Sequence, residues 1–159
     1  LPSVTIPNSI LTIGNSTFSH CSILTGVIIG NGVTTIGENG FYYCPNLTGI
    51  YFKGNAPSLG ASVFDYVYNG IVYYIPGTVG WGTTLGWLPT AEWPPSPADV
   101  DLNYEVDMVD FSALAAHWLQ TGGGDPNWCE WADFDTSGTV DPNDLLILSD
   151  EWLFGIVPF

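Results

Sequence analysis

The chain has 159 residues and a formal net charge of −15, with 16 Asp and Glu against a single Lys. That balance excludes nucleic acid as a partner, because nothing here can neutralise phosphates, and no apolar run is long enough to span a bilayer as a helix. Residues 98 to 159 hold 13 of the 16 acids, whereas the residues before them carry Glu38, Asp65, Glu92 and the only base, Lys53. The chain therefore divides by charge into two parts.

In chain order, the first part repeats itself at a constant interval. Val4-Thr5-Ile6, Val27-Ile28-Ile29 and Ile50-Tyr51-Phe52 open successive repeats as strands. Ile13-Gly14 recurs as Ile36-Gly37 and Leu59-Gly60, Phe18 as Phe41 and Phe64, and Cys21 as Cys44. A period in the low twenties predicts a solenoid, each repeat one coil stacked on the next, with residues of equal phase forming internal ladders. The third coil has Val67 in place of the Cys, and Ile71 to Ile75 reads as a last strand. The Pro- and Trp-rich stretch from Pro76 to Trp93 is expected to cover the open end.

The pattern Ile-x-x-Ile-Gly followed by Phe-x-x-Cys-x-x-Leu, here Ile10 to Gly14 with Phe18 to Leu24, resembles the BspA-type bacterial leucine-rich repeat. The second copy is Val33 to Gly37 with Phe41 to Leu47. That family usually has Ala before the Phe; this chain has Thr17, Gly40 and Val63. Cys21 and Cys44 share a phase, which leaves two readings: a disulfide, or small buried residues as in the related repeats. The second is preferred. Roughly three coils are near the minimum for a stable stack. The chain is accordingly read as the C-terminal part of a longer secreted or cell-surface protein, its earlier repeats missing.

No catalytic constellation emerges, and enzyme activity is not expected. His20 and His117 read as surface or boundary histidines, and no nucleophile motif or phosphate-cradling glycine loop is present. Tyr42, Tyr43, Tyr51, Tyr73 and Tyr74 form either a surface for sugar or protein contacts or, in part, the packing of the solenoid. The second reading is preferred, with the remainder as ordinary surface.

Pro94, Pro95 and Pro97 stiffen a linker over residues 92–98, which closes a solenoid domain over 1–91. An acidic twelve-residue loop then occurs twice, at Asp99 to Asp110 and at Asp133 to Asp144. Both copies place oxygen-bearing side chains at positions 1, 3, 5, 9 and 12, the spacing an EF-hand-type calcium loop needs. Phe111, Leu114, Trp118 and Leu119 follow the first copy; Leu145, Leu148, Trp152 and Leu153 follow the second at the same offset. Their spacing predicts one amphipathic helix after each loop. Pro94 to Pro97 exclude a helix before the first loop, and Gly122-Gly123-Gly124-Asp125-Pro126 breaks the chain between the units. Cys129, between Trp128 and Trp131, has no zinc-type neighbours.

Two loop-plus-helix units without entering helices resemble the type I dockerin module, over residues 98–155, with a domain at 99–155. The resemblance implies a small all-α module with two EF-hand-type loops, joined to the β-rich solenoid in a multi-domain chain. It implies two calcium ions, held by Asp99, Asp101, Asn103, Glu105 and Asp110, then by Asp133, Asp135, Ser137, Thr139 and Asp144. Asp107 and Asp141 would reach the ions through water. Position 6 is Gly138 in the second loop but Tyr104 in the first, so the second has the better backbone geometry. The resemblance further implies a cohesin-type partner, met by Met108, Val109, Ala115 and Ala116 in one unit and by Pro142, Asn143, Ser149 and Asp150 in the other. The expected function is non-catalytic binding and anchoring, the solenoid carrying a recognition surface for carbohydrate or surface protein. Two alternatives stand beside it: an intramolecular calcium clamp for the solenoid, and the tail of a secreted polysaccharide-degrading enzyme.

Overall fold

The structure is a computed structural model that describes residues 3–94, 98–99, 106–119 and 132–152. The chain separates into two compact units, Leu1–Trp93 and Pro94–Phe159. In the first unit each coil opens with a strand: β1 (Ser3–Ile6), β3 (Gly26–Ile29), β5 (Gly49–Phe52) and β7 (Ile71–Tyr74). They pair in parallel in that order, while β2 (Thr12–Ile13), β4 (Thr35–Ile36) and β6 (Ser58–Leu59) form a second, narrow sheet.

Register follows the repeat. Ser3 lies opposite Gly26 and Gly26 opposite Gly49, one full sequence period each time, whereas Gly49 lies opposite Ile71, one position short of a period. The lost residue falls at Tyr68-Asn69-Gly70, where the third coil departs from the pattern. The stretch expected only to cover the end does more than that. It adds β9 (Leu88–Glu92), parallel to β7, and β8 (Thr84–Leu85), antiparallel to β9. Gly86, with φ +64°, makes the tight reversal between them. Glu92, expected in the linker, therefore ends a strand, and the Trp93 N–H donates to the Tyr74 carbonyl at 2.8 Å.

Between the sheets lies one core of same-phase residues. Val27 and Ile50 share one strand position, Ile29 and Phe52 another, and Phe41, Phe64 and Leu47 fill the turn side. Phe18, Phe41 and Phe64 stack with centroids 5.2 and 5.8 Å apart and planes within 14°. Such stacking adds about 0.5–1.5 kcal/mol per pair beyond area burial. The Ile-Gly motif has a steric origin: a Cβ on Gly60 would sit 2.5 Å from the Glu38 nitrogen in the previous coil. Cys21 and Cys44 are free thiols, and the buried Cys44 thiol donates to the Phe18 carbonyl at 3.0 Å. Burial pushes that thiol's pKa up. The structure thus has the small-residue arrangement rather than a disulfide.

Tyr51, one of the candidate surface tyrosines, is buried between Tyr73, 4.9 Å away and parallel, and Trp93 at 5.0 Å. Tyr74 stacks on Trp81 at 5.0 Å. These three tyrosines are packing residues. Burial, with a smaller contribution from Tyr73, pushes the Tyr51 pKa up to about 12. An unfolded tyrosine ionises near pH ~10, so Tyr51 contributes stability that is complete below that pH and is lost as pH rises toward the folded value. The loss is on the order of 2 kcal/mol. Tyr51→Phe should remove it, flattening the fall in urea midpoint between about pH 8 and about pH 11. An alkaline fall equally steep in the variant would exclude Tyr51 as the source.

Candidate metal loops and the repeat turns

In the second unit, α1 (Met108–Ala116) and α2 (Pro142–Trp152) each follow an acidic loop. Both start by the same device. Asp107 Oδ1 accepts from the Val109 N–H at 2.7 Å, and Asp110 Oδ2 accepts from the Asp107 N–H at 2.7 Å, a reciprocal capping box. Asp141 Oδ1 accepts from the Asn143 N–H at 2.8 Å, and Asp144 Oδ2 accepts from the Asp141 N–H at 2.8 Å. Pro142, at the first helical position, has no N–H to leave unpaired. The acids at loop positions 9 and 12 thus serve the helix N-terminus, whose dipole favours negative charge.

The second loop is described throughout. Asp133 Oδ2 accepts from the Gly138 N–H at 2.8 Å and its Oδ1 from the Ser137 N–H at 3.0 Å. Gly138 has φ +89°, as the sharp turn at position 6 requires. Asp135 Oδ1 also accepts from the Ser137 N–H, at 3.0 Å, and the Ser137 hydroxyl and backbone hold the Asp135 carboxyl below its usual range. The Ser137 hydroxyl donates to the Thr139 carbonyl at 3.2 Å. Asp144 is buried and closes the loop, its Oδ1 accepting from the Phe134 and Asp135 N–H groups at 2.6 and 3.2 Å.

One carboxylate oxygen from each of Asp133, Asp135 and Asp144 lies within 4.8 Å of the others. Two oxygens on opposite sides of a calcium ion are about 4.6–5.2 Å apart, so these three oxygens are close enough to share one hard divalent cation. Asp99 and Asp110, the ends of the first loop, are both buried. Asp101, Asn103, Tyr104 and Glu105 lie outside the described residues, as do Cys129 and Leu153.

The duplication of the loops extends to burial. Ala98 and Ala132, Val106 and Val140, Asp110 and Asp144, and Leu114 and Leu148 are all buried. The Val at loop position 8 was not singled out in the sequence, although its recurrence at the same offset was readable there. Two expectations need correcting. Helix α1 ends at Ala116, with His117 as its cap and Leu119 at φ +64°, so Trp118 and Leu119 lie beyond it. The Leu119 N–H instead donates to the Val140 carbonyl at 2.9 Å. Phe111 and Leu145 are exposed, leaving Leu114 and Leu148 as the buried anchors. All eight residues expected to meet a partner, Met108, Val109, Ala115, Ala116, Pro142, Asn143, Ser149 and Asp150, are exposed.

A family model described as BspA type Leucine rich repeat region (6 copies) matches residues 1–80. The chain belongs to the BspA-type leucine-rich-repeat family. No curated protein and no solved structure matches it. Membership makes this a surface or protein-binding repeat protein, of a family typically secreted or surface-located in bacteria. No described helix is long and apolar enough to cross a membrane.

In this leucine-rich-repeat chain, aromatic side chains gather on the turn that follows the Phe of each coil. His20, Tyr43 and Tyr66 recur there at equal phase, with Tyr42 and Tyr68 beside them. Of this group Tyr42 and Tyr43 were singled out in the sequence, with the strand tyrosines, but Tyr66 and Tyr68 were not. The matching phase of positions 20, 43 and 66 was the available signal.

In the acidic unit, Gly138→Ala meets no steric contact but must hold φ +89°. It should cost about 1 kcal/mol by helix-detected urea unfolding. Asp144→Ala should cost more, because three backbone N–H groups lose their acceptor. The reverse order would show that the loop is not held by Asp144.

Proposed function

We propose that this chain is a non-catalytic, extracellular binding and anchoring protein. Its leucine-rich-repeat solenoid presents a recognition surface. Its second unit is a calcium-dependent, dockerin-like module that attaches the solenoid to a cohesin-type partner. One observation carries the calcium reading. Among the described residues the buried charged side chains are Asp99, Asp110 and Asp144, which are loop positions 1, 12 and 12 of the two copies. Residues 94–159 contain no Lys or Arg. Burying carboxylates without compensating charge costs several kcal/mol each. At Asp144 the Phe134, Asp135 and Asp141 N–H groups supply part of that compensation, and a divalent cation would supply the rest.

The second loop offers Asp133, Asp135, Ser137, the Thr139 carbonyl and Asp144 to such an ion, with Asp141 reaching it through water. In the first loop Asp99 and Asp110 take the corresponding roles, together with Asp101, Asn103, Glu105 and Asp107. Two calcium ions would offset four of the thirteen negative charges after residue 98 and keep both loops closed. Metal binding then appears as folding stability.

The exposed residues at loop positions 10 and 11 support the anchoring part. Met108 and Val109 are apolar and 63% and 53% exposed, which suits the buried centre of a protein interface. Pro142 and Asn143 hold the equivalent places with different chemistry, so the two faces are not interchangeable.

Calorimetric titration of the full chain should find about two calcium ions, with a calcium-dependent gain of helical circular dichroism. Absence of binding, with helix already formed in chelator, would overturn the calcium reading. Capture by an immobilised cohesin-type domain should require calcium. Met108→Glu with Val109→Glu should weaken capture at least about tenfold while leaving calcium stoichiometry intact. Capture indifferent to calcium would count against the anchoring role.

A further inference from the structure

The solenoid backbone visits the left-handed region at two positions in each coil. Ser16, Asn39 and Ser62 occupy the first, at φ 55°, 58° and 54°, and small polar residues tolerate that conformation. His20, Tyr43 and Tyr66 occupy the second, at φ 62°, 55° and 65°. Histidine is among the residues enriched in that region, whereas a residue as bulky as tyrosine is uncommon there. Stacking with neighbours returns part of the cost of that conformation. It still leaves Tyr43 and Tyr66 45% exposed and Tyr68 62% exposed. The buried Phe41 and Phe64, with Phe18 stacked on them, already fill the core side of these turns. Folding alone therefore does not account for rings at these positions.

Their arrangement is specific. His20 stacks on Tyr43 at 5.3 Å, and Tyr43 lies 5.5 Å from Tyr66 at 52°. Tyr42 meets Tyr66 at 5.3 Å and 78°, and Tyr68 meets Tyr66 at 6.5 Å and 83°. Coil-to-coil hydrogen bonds hold the turns that carry them: the His20 N–H donates to the Tyr42 carbonyl and the Tyr43 N–H to the Asp65 carbonyl, each at 2.8 Å. A site so held loses little conformational freedom on binding.

The angles decide between ligand classes. A glycan chain stacks along rings that share a plane, whereas Tyr66 is steeply inclined to Tyr42, Tyr43 and Tyr68 and makes a corner with them. In the edge-to-face pairs the edge of one ring meets the face of the other, yet Tyr43, Tyr66 and Tyr68 all remain exposed, so ring surface stays open at that corner for a cation. Asp65 stands in the same turns, at the repeat position of Tyr42, and neither Lys nor Arg occurs there. The solenoid itself carries three acids, Glu38, Asp65 and Glu92, against the single base Lys53, a balance that favours cationic groups over acidic ones.

We propose that the corner made by Tyr42, Tyr43, Tyr66 and Tyr68, with Asp65 beside it, docks a protein partner that inserts an arginine or lysine side chain. The site deepens the reading of the solenoid as a recognition surface and is independent of the calcium module. Arginine is the better fit, because its planar guanidinium stacks on a tyrosine face while a carboxylate accepts its N–H groups.

The test is a titration of the full chain, labelled in its tyrosine rings, followed by carbon–proton NMR at about 0.15 M salt to screen nonspecific attraction. The probes are a Gly-Arg-Gly-Arg-Gly-Arg-Gly peptide, the same peptide with citrulline for arginine, and cellohexaose. Saturable shifts of the Tyr43, Tyr66 and Tyr68 rings are expected with the arginine peptide alone. Binding should weaken about tenfold in Tyr66→Asn, which suits the left-handed turn, and in Asp65→Asn, which leaves every ring in place. An equal response to the citrulline peptide would overturn the proposal, as would binding unchanged in both variants. A ring response to cellohexaose alone would replace the cation site with a glycan surface and leave the solenoid a recognition domain. Absence of any ring response would remove the site altogether.

Discussion

Parallel pairing of each coil with the next, in register with the sequence period, is the constraint on which the solenoid depends. Once Ser3 lies opposite Gly26 and Gly26 opposite Gly49, every repeat position is stacked on its own kind. Phenylalanines meet phenylalanines, glycines sit where coils approach most closely, and left-handed turns fall in columns. A residue choice at one phase is thus made several times over. In the core that multiplies packing, because the Phe18, Phe41 and Phe64 rings meet nearly face to face. On the turns it multiplies whatever the surface displays.

The acidic unit uses repetition differently. Its two copies recur at one fixed offset, yet the repeated elements are buried carboxylates and helix caps rather than a continuous sheet. Asp110 and Asp144 each end a loop and cap a helix, so one side chain ties the backbone geometry of both. Leu114 and Leu148 are the buried anchors of short helices, a small apolar contribution beside the cost of the charges gathered there. In the second copy Asp133, Asp135 and Asp144 bring one carboxylate oxygen each close enough together to hold a cation.

Much of this was legible in the sequence because repeats convert position into environment. The strand starts at Val4, Val27 and Ile50 and the Phe and Cys columns all followed from one period. The same logic located the acidic loops and the exposed residues beside them. Legibility failed where the period broke. After Val67 one residue is lost, and beyond Tyr74 the repeat has no further copy to align. The β8–β9 hairpin, built from Thr84 to Glu92, was consequently read as a covering segment. Helix α1 stopped early for a related reason. Apolar spacing continues through Trp118, but the left-handed Leu119 and its bond to Val140 are tertiary choices that spacing does not encode.

The two left-handed columns of the solenoid separate folding from display. Asn39 suits its backbone, and Ser16 and Ser62 place only small side chains on it. Tyr43 and Tyr66 place bulky rings on the same geometry, which is uncommon, and register stacks them with His20 on one face. In an ordinary globular protein a single strained aromatic would be a local curiosity. In a stack the same strain recurs coil after coil, so it must be offset coil after coil. Ring–ring contact supplies some of that offset. Contacts that a partner makes with the exposed half of each ring are the remaining source, and they act only when the partner is bound. The cost that remains after the rings have stacked is not returned by the core, which is the physical signature expected of a site rather than of a packing position.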